Sequence, residues 1–318
     1  MSLSVILTNI ATALRGKGYT GQIPATEFAN KIRGLKAKPD WALATMPSYE
    51  TWSSVTYGNG KFVAIANGTT AAYSEDGINW TATTMPSKLE WQSVTYGAGK
   101  FVAVQKYGWR TTAAYSEDGI NWTETIMPSN ASWRSVTYGA GKFVAIAYGT
   151  TAAYSTDGIT WTAATLPSNA DWSSVTYGAG KFVATAFDSD KAAYSTDGIN
   201  WTITTNLPAS ADWKSVTYGG GKFVAIAGVG QVAYSTDGIY WGARALSSIA
   251  TWQSVTYGAG KFVTVTSSSN KVAYSADGFN WTETTMPSNA IWFSVTYGAG
   301  KFVAIASNST AAAYLDVS

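Results

Sequence analysis

Six copies of Ser-x-Asp-Gly-x-x-Trp, starting at Ser74, Ser116, Ser155, Ser195, Ser235 and Ser275, bring a hydroxyl, a carboxylate and an indole together within seven residues. Such a group suits four roles: a catalytic centre, a metal ligand, a sugar-binding element or a turn. The chain has no histidine and no cysteine, which removes the usual general base, thiolate catalysis and cysteine metal sites. Asp and Gly favour tight turns, and Ser and Asp oxygens accept hydrogen bonds from turn amides. Asp76, Asp118, Asp157, Asp197, Asp237 and Asp277 are therefore expected to be structural, and no catalytic residue, metal or cofactor is assigned.

Equivalent boxes need equivalent surroundings, and the period of the chain supplies them. Trp-x-Ser-Val-Thr-Tyr-Gly recurs from Trp52, Trp91, Trp133, Trp172, Trp213, Trp252 and Trp292 at spacings of 39 to 42 residues, a length that suits a four-stranded propeller blade. The unit from Trp52 reads as strand "WSSVTYG", turn "NGK", strand "FVAIA", a variable loop, strand "AAYS", the box turn and strand "NWTATT". Thr, Val and aromatic residues are strand formers, and the Gly-containing joins are hairpin signals. The last unit stops at "AAAYLDVS", one outer strand short, while "DWALATMPS" from Asp40 to Ser48 aligns with "NWTATTMPS" from Asn79 to Ser87.

The expected fold over residues 37–318 is all-β: a seven-bladed β-propeller of four-stranded blades. An N-terminal strand, about residues 40–46, completes the seventh blade and hides the open edges. Fourteen of the fifteen tryptophans belong to this framework. Trp109 does not. Ahead of the propeller, residues 1–36 place Leu3, Ile6, Leu7, Ile10 and Leu14 at helical spacing, and a second short helix is expected from Pro24. Helices of that size bury little alone, so the segment is expected to dock on the propeller, on copies of itself or on a partner.

The chain has 318 residues, 46% of them hydrophobic and 14% aromatic, enough for a real core. Its 21 basic and 19 acidic residues leave a net charge of +2 with no long run of either sign, so neither nucleic acid nor membrane insertion is expected. The start shows neither a basic n-region nor an unbroken apolar stretch. Synthesis in the bacterial cytoplasm without a signal peptide is the expectation.

Ser-x-Asp-Gly-x-x-Trp resembles the Asp-box, the bacterial neuraminidase repeat, of sialidases and many other propellers, with Asp and Gly adjacent where the commonest form separates them. The resemblance implies a hairpin between strands three and four, closed by Asp. Sialidase activity would need three convergent arginines for the substrate carboxylate, whereas the propeller has only Arg110, Arg134 and Arg244, the last on an expected outer strand. Glu50, Glu90, Asp171, Asp188, Asp190 and Asp212 are scattered among units, which leaves a two-carboxylate hydrolase as one alternative. The reading adopted is not an enzyme. A second resemblance lies in "IATALRGKGYTGQIPATEFANKIRGL", which is similar to a short segment of tail and baseplate-associated proteins of bacteriophages and prophages. It implies attachment to a virion tail or phage-like particle through residues 1–36, in several copies.

Variation separates the two faces of such a propeller. Loops between strands two and three, together with the inter-unit connections, emerge on one face and read "NGTT", "KYGWRTT", "YGTT", "FDSDK", "GVGQ" and "SSSNK". The opposite face, with box and "GAGK" turns, is nearly constant. A constant scaffold with one varied face is expected of a recognition surface. Tyr107, Trp109, Arg110, Arg134, Tyr148, Phe187, Asp188, Lys191 and Lys214 are the candidate ligand contacts, exposed aromatics and polar groups suiting sugar rings. The expected function is a phage tail receptor-binding protein that recognises a bacterial surface glycan or protein. The alternatives are an assembly module that binds neighbouring tail proteins and a glycan-cleaving enzyme.

Overall fold

The computed structural model describes Thr12, residues 40–106 and residues 111–318. The chain divides into Met1–Asp40 and Trp41–Ser318, and the architecture below is that of the second unit. The helical segment expected over residues 1–36 lies outside the described residues, apart from Thr12, which is helical. Tyr107, Trp109 and Arg110 lie outside them as well.

Within each repeat the heptapeptide strand turns back on the "KFVAIA" strand, as in the pairs Tyr57↔Phe62 and Gly58↔Lys61. A two-residue turn with positive φ at both positions makes this hairpin, Asn59 at 46° and Gly60 at 73°; it matches the natural twist of paired strands. Alanine replaces Asn59 at Ala98, Ala140, Ala179, Ala259 and Ala299, with φ between 45° and 47°. A left-handed alanine costs roughly 1–2 kcal/mol, which the flanking ladders offset.

Seven heptapeptide strands stand side by side around one axis. Ser54 Oγ accepts from Val94 N at 3.2 Å, and the same bond repeats through Ser93, Ser135, Ser174, Ser215 and Ser254. Ser294 Oγ then accepts from Val55 N at 3.1 Å, which closes the ring. Outside it, the core sits between neighbouring repeats rather than within one. Trp172, fully buried, packs with Val144 and Ile146 of the preceding repeat and with Val175 and Phe182 of its own; each of the other six heptapeptide tryptophans occupies the equivalent place. These features define a β-propeller.

The strand arrangement corrects the expectation of seven separate four-stranded blades. Among the described residues there are 22 strands, ordered in one eight-stranded sheet, one six-stranded sheet and two four-stranded sheets. The cause is local. Where the expected loop is "NGTT" or "YGTT", the chain does not leave the sheet: Lys61–Ser74 and Lys142–Ser155 each run as one strand. Gly68 and Gly149, at φ 97° and 88°, bulge the strand so that it pairs with the next inter-unit connection, Gly68 opposite Leu89 and Gly149 opposite Ala170. The connections are extended in turn, so Ala42–Gly58, Thr81–Gly97 and Thr162–Gly178 each serve two repeats. Pro47 is accommodated inside Ala42–Gly58 because the ladder is interrupted between Thr45 and Glu50. The two ends of the unit meet in this fused sheet, where Ala42 pairs with Tyr314 and Thr45 with Ala311.

Each Ser-x-Asp-Gly-x-x-Trp box is a hydrogen-bonded turn at the outer hairpin. Ser74 Oγ donates to Asp76 Oδ1 at 2.9 Å and accepts from Gly77 N at 2.9 Å. Ile78 N and Asn79 N both donate to Asp76 Oδ1 at 2.8 Å. Burial opposes the Asp76 charge, but those amides, with Asn79 and Ser74 side chains, outweigh it and hold the carboxyl down at about 2. Asp157 is likewise at about 2, and Asp118, Asp197, Asp237 and Asp277 are also lowered. Carboxyls lowered on folding contribute stability that is complete above their unfolded value near 4 and is lost as pH falls towards 2. Thermal melts are therefore expected to lose Tm between pH 4 and pH 2. Asp76→Ala is expected to cost about 1 kcal/mol at neutral pH, a low figure because the turn is solvated, and less at pH 2; an equal cost at both pH values would contradict this account.

Candidate functional site

The varied residue of each heptapeptide, directly after its tryptophan, comes at the same end of the axis as the second-to-third strand connections. Six of these positions, Gln92, Arg134, Ser173, Lys214, Gln253 and Phe293, line one cavity of about 340 Å³, joined by Lys106, Asp171 and Phe187 from the surrounding connections. The seventh, Ser53, is buried beside it, its Oγ 2.6 Å from Trp91 O. The tryptophan before each varied position and the Ser and Val after it are consumed by the core and the ring of hydrogen bonds. Only the varied side chain is left to the mouth.

Among the described residues, three cations and one carboxylate lie in this lining. Arg134 Nη2 is 3.2 Å from Asp171 Oδ1 and 3.4 Å from Oδ2, so the single acid is already engaged. Lys214 Nζ sits 4.2 Å from the centroid of the Phe187 ring, a cation–π contact that fixes the ammonium over an apolar surface. Burial pushes Lys214 below the usual lysine range. Asp212 and Asp171 pull it back up, while Lys106 and Arg134 push it further down. Two aromatic rings, two amides and a hydroxyl complete the wall. Such a site can bind an anionic group, or stabilise negative charge that develops on a bound molecule.

Of the residues singled out from sequence, Arg134, Phe187 and Lys214 come together here. Tyr148 does not line the cavity; it is 57% exposed and opposes Asp171 in the strand ladder. Asp188 is exposed at φ 47°, and Lys191 Nζ donates to Asn169 O at 3.0 Å, which turns it towards an inter-unit connection. Gln92, Lys106, Ser173, Gln253 and Phe293 were not singled out. Four of those five were marked in the sequence as the single variable letter inside an otherwise constant heptapeptide. Among the described residues no group of three or more Asp, Glu, His or Cys is placed to hold a metal, and no helix is long and apolar enough to cross a membrane.

No protein-family model and no curated protein matches the sequence. Solved structures do match the fold. A catalytically inactive histidine-to-alanine variant of virginiamycin B lyase from Staphylococcus aureus, with quinupristin, superposes with a TM-score of 0.78 at 12% identity, over 87% of this chain and 99% of that one. YCF48 bound to D1 peptide gives 0.71 at 14% identity over 89% and 97%. The WD40 β-propeller domain of Doa1 gives 0.65 at 14% over 87% and 97%. These likenesses establish the β-propeller. They also correct the expectation that the chain is not an enzyme, since the same fold carries a lyase.

Proposed function

We propose that this chain is a phage or phage-derived tail protein whose propeller binds a bacterial surface glycan at the cavity beside Arg134 and Lys214. On this reading the six box turns are Asp-box repeats, and residues 1–36 attach the chain to tail or baseplate proteins of a virion or phage-like particle. Many copies on one particle turn weak single-site binding into firm attachment. One observation carries the proposal: in a heptapeptide whose other letters are held constant, the letter that varies lines the cavity at six of its seven occurrences. Variation that reaches a concave surface on a rigid scaffold suits recognition.

Fluorescently labelled full-length protein, incubated with a panel of bacterial strains, is expected to stain a subset of them. The Arg134→Gln/Lys214→Met double substitution is expected to cut that staining by about tenfold or more, the worth of losing charge-assisted hydrogen bonds at a binding site, with Tm nearly unchanged. Failure to stain any strain, or full staining by the double variant, would sink the proposal.

A further inference from the structure

Charge is sparse in this chain, at 13% of residues, yet Lys106, Arg134 and Lys214 converge on one cavity in which Asp171 is the only lining carboxylate among the described residues. Asp171 is occupied by Arg134, and Lys214 is held against Phe187. The wall thus presents an excess of positive charge next to apolar ring faces. Guanidinium and ammonium groups pair with carboxylate and phosphate oxygens. The C–H faces of sugar rings pack on aromatic surfaces, and amides such as those of Gln92 and Gln253 exchange hydrogen bonds with hydroxyls.

We infer that the cavity takes an acidic saccharide, with a carboxylate or phosphate seated between Arg134 and Lys214 and a sugar ring against Phe187 and Phe293. This rests on the receptor-binding reading above and specifies the ligand's chemical class. A neutral sugar would leave Lys214, half-buried and held over the Phe187 ring, with no ligand anion to pair with beyond the carboxylates of Asp212 and Asp171. An acidic one supplies that anion at the place where the cation is fixed.

Calorimetric titration of the full-length protein with two matched pairs of probes tests it. One pair is trigalacturonic acid and its neutral trimethyl ester; the other is glucose 1-phosphate and methyl glucoside. At least one acidic probe is expected to bind tenfold or more tightly than its neutral partner, and that preference is expected to shrink as salt is raised. Whichever acid prevails identifies the anion as carboxylate or phosphate. Lys214→Met and Arg134→Gln, each checked for an unchanged Tm, are expected to abolish the preference. Equal binding of acidic and neutral partners, no binding of any probe, or a preference that survives both substitutions would overturn the inference. Strains stained without any acid preference would leave the receptor reading standing and remove only the ligand class; an acid preference without staining of any strain would do the reverse.

Discussion

Trp172→Ala is expected to lower stability by about 3–5 kcal/mol, a fall in Tm on the order of 10 °C for a unit of this size. The indole is fully buried between two repeats, against Val144, Ile146, Leu166, Val175 and Phe182, and its Nε1 donates to Ser168 O at 3.1 Å. Removing it opens a void at an inter-repeat joint where backbone on both sides is tied into ladders, so the walls have little freedom to collapse. Trp172→Phe separates the parts: it keeps much of the volume and loses the hydrogen bond, and is expected to cost markedly less. Chemical denaturation of the two variants checks both numbers. A loss below about 1 kcal/mol for Trp172→Ala would show that the joint repacks freely.

Gly178→Ala is the complementary case, in which one added carbon has nowhere to go. A Cβ on Gly178 would fall 2.0 Å from Cγ of Tyr218 in the next repeat. Tyr218 cannot retreat without losing its contact with Phe223, the ring centroids being 4.8 Å apart. The same approach recurs from Gly58 onto Tyr96 and, across the closure, from Gly298 onto Tyr57. The expected cost is at the upper end of the roughly 1–3 kcal/mol usual for overpacking, or beyond it. In a double-mutant cycle, Tyr218→Gly should absorb most of the penalty of Gly178→Ala, whereas Tyr218→Ala should absorb only part of it, because the Cβ of residue 218 also lies within 2.5 Å of the added carbon. Additive costs would place the strain in the backbone instead.

Much of this was readable in the sequence because repetition removes ambiguity. Seven copies of the heptapeptide give the period, and the box composition gives the outer turn, since Ser, Asp and Gly at fixed offsets satisfy one another's hydrogen bonds. What the sequence concealed was continuity. Whether "NGTT" leaves the sheet or bulges within it depends on Gly68 at positive φ and on a connection in the next repeat lying opposite, two facts separated by about twenty residues and linked only in space. The site was half legible for a related reason. Arg134 and Lys214 stand out by charge, whereas Gln92, Gln253 and Phe293 acquire meaning only when equivalent positions of different repeats are brought to one end of one axis. The absence of histidine narrowed the chemistry but did not decide between binding and catalysis, because charge stabilisation by Arg134 and Lys214 needs neither imidazole nor thiol.

The circle of Val-to-Ser hydrogen bonds looks uniform, but its members differ in how much chain each must tether. The bond from Val94 to Ser54 spans 40 residues, and the one from Val55 to Ser294 spans 239. Entropy of loop closure grows with the logarithm of that length, which makes the last joint more costly by about 1.6 kcal/mol if the flanking chain is disordered. Six joints can therefore form by successive short-range steps while the seventh waits for all of them. A ring with the symmetry of its repeats is thus asymmetric in its connectivity: beside that longest-range joint lies a seam where Ala42–Thr45 pairs with Ala311–Tyr314, chain ends that no covalent link holds together.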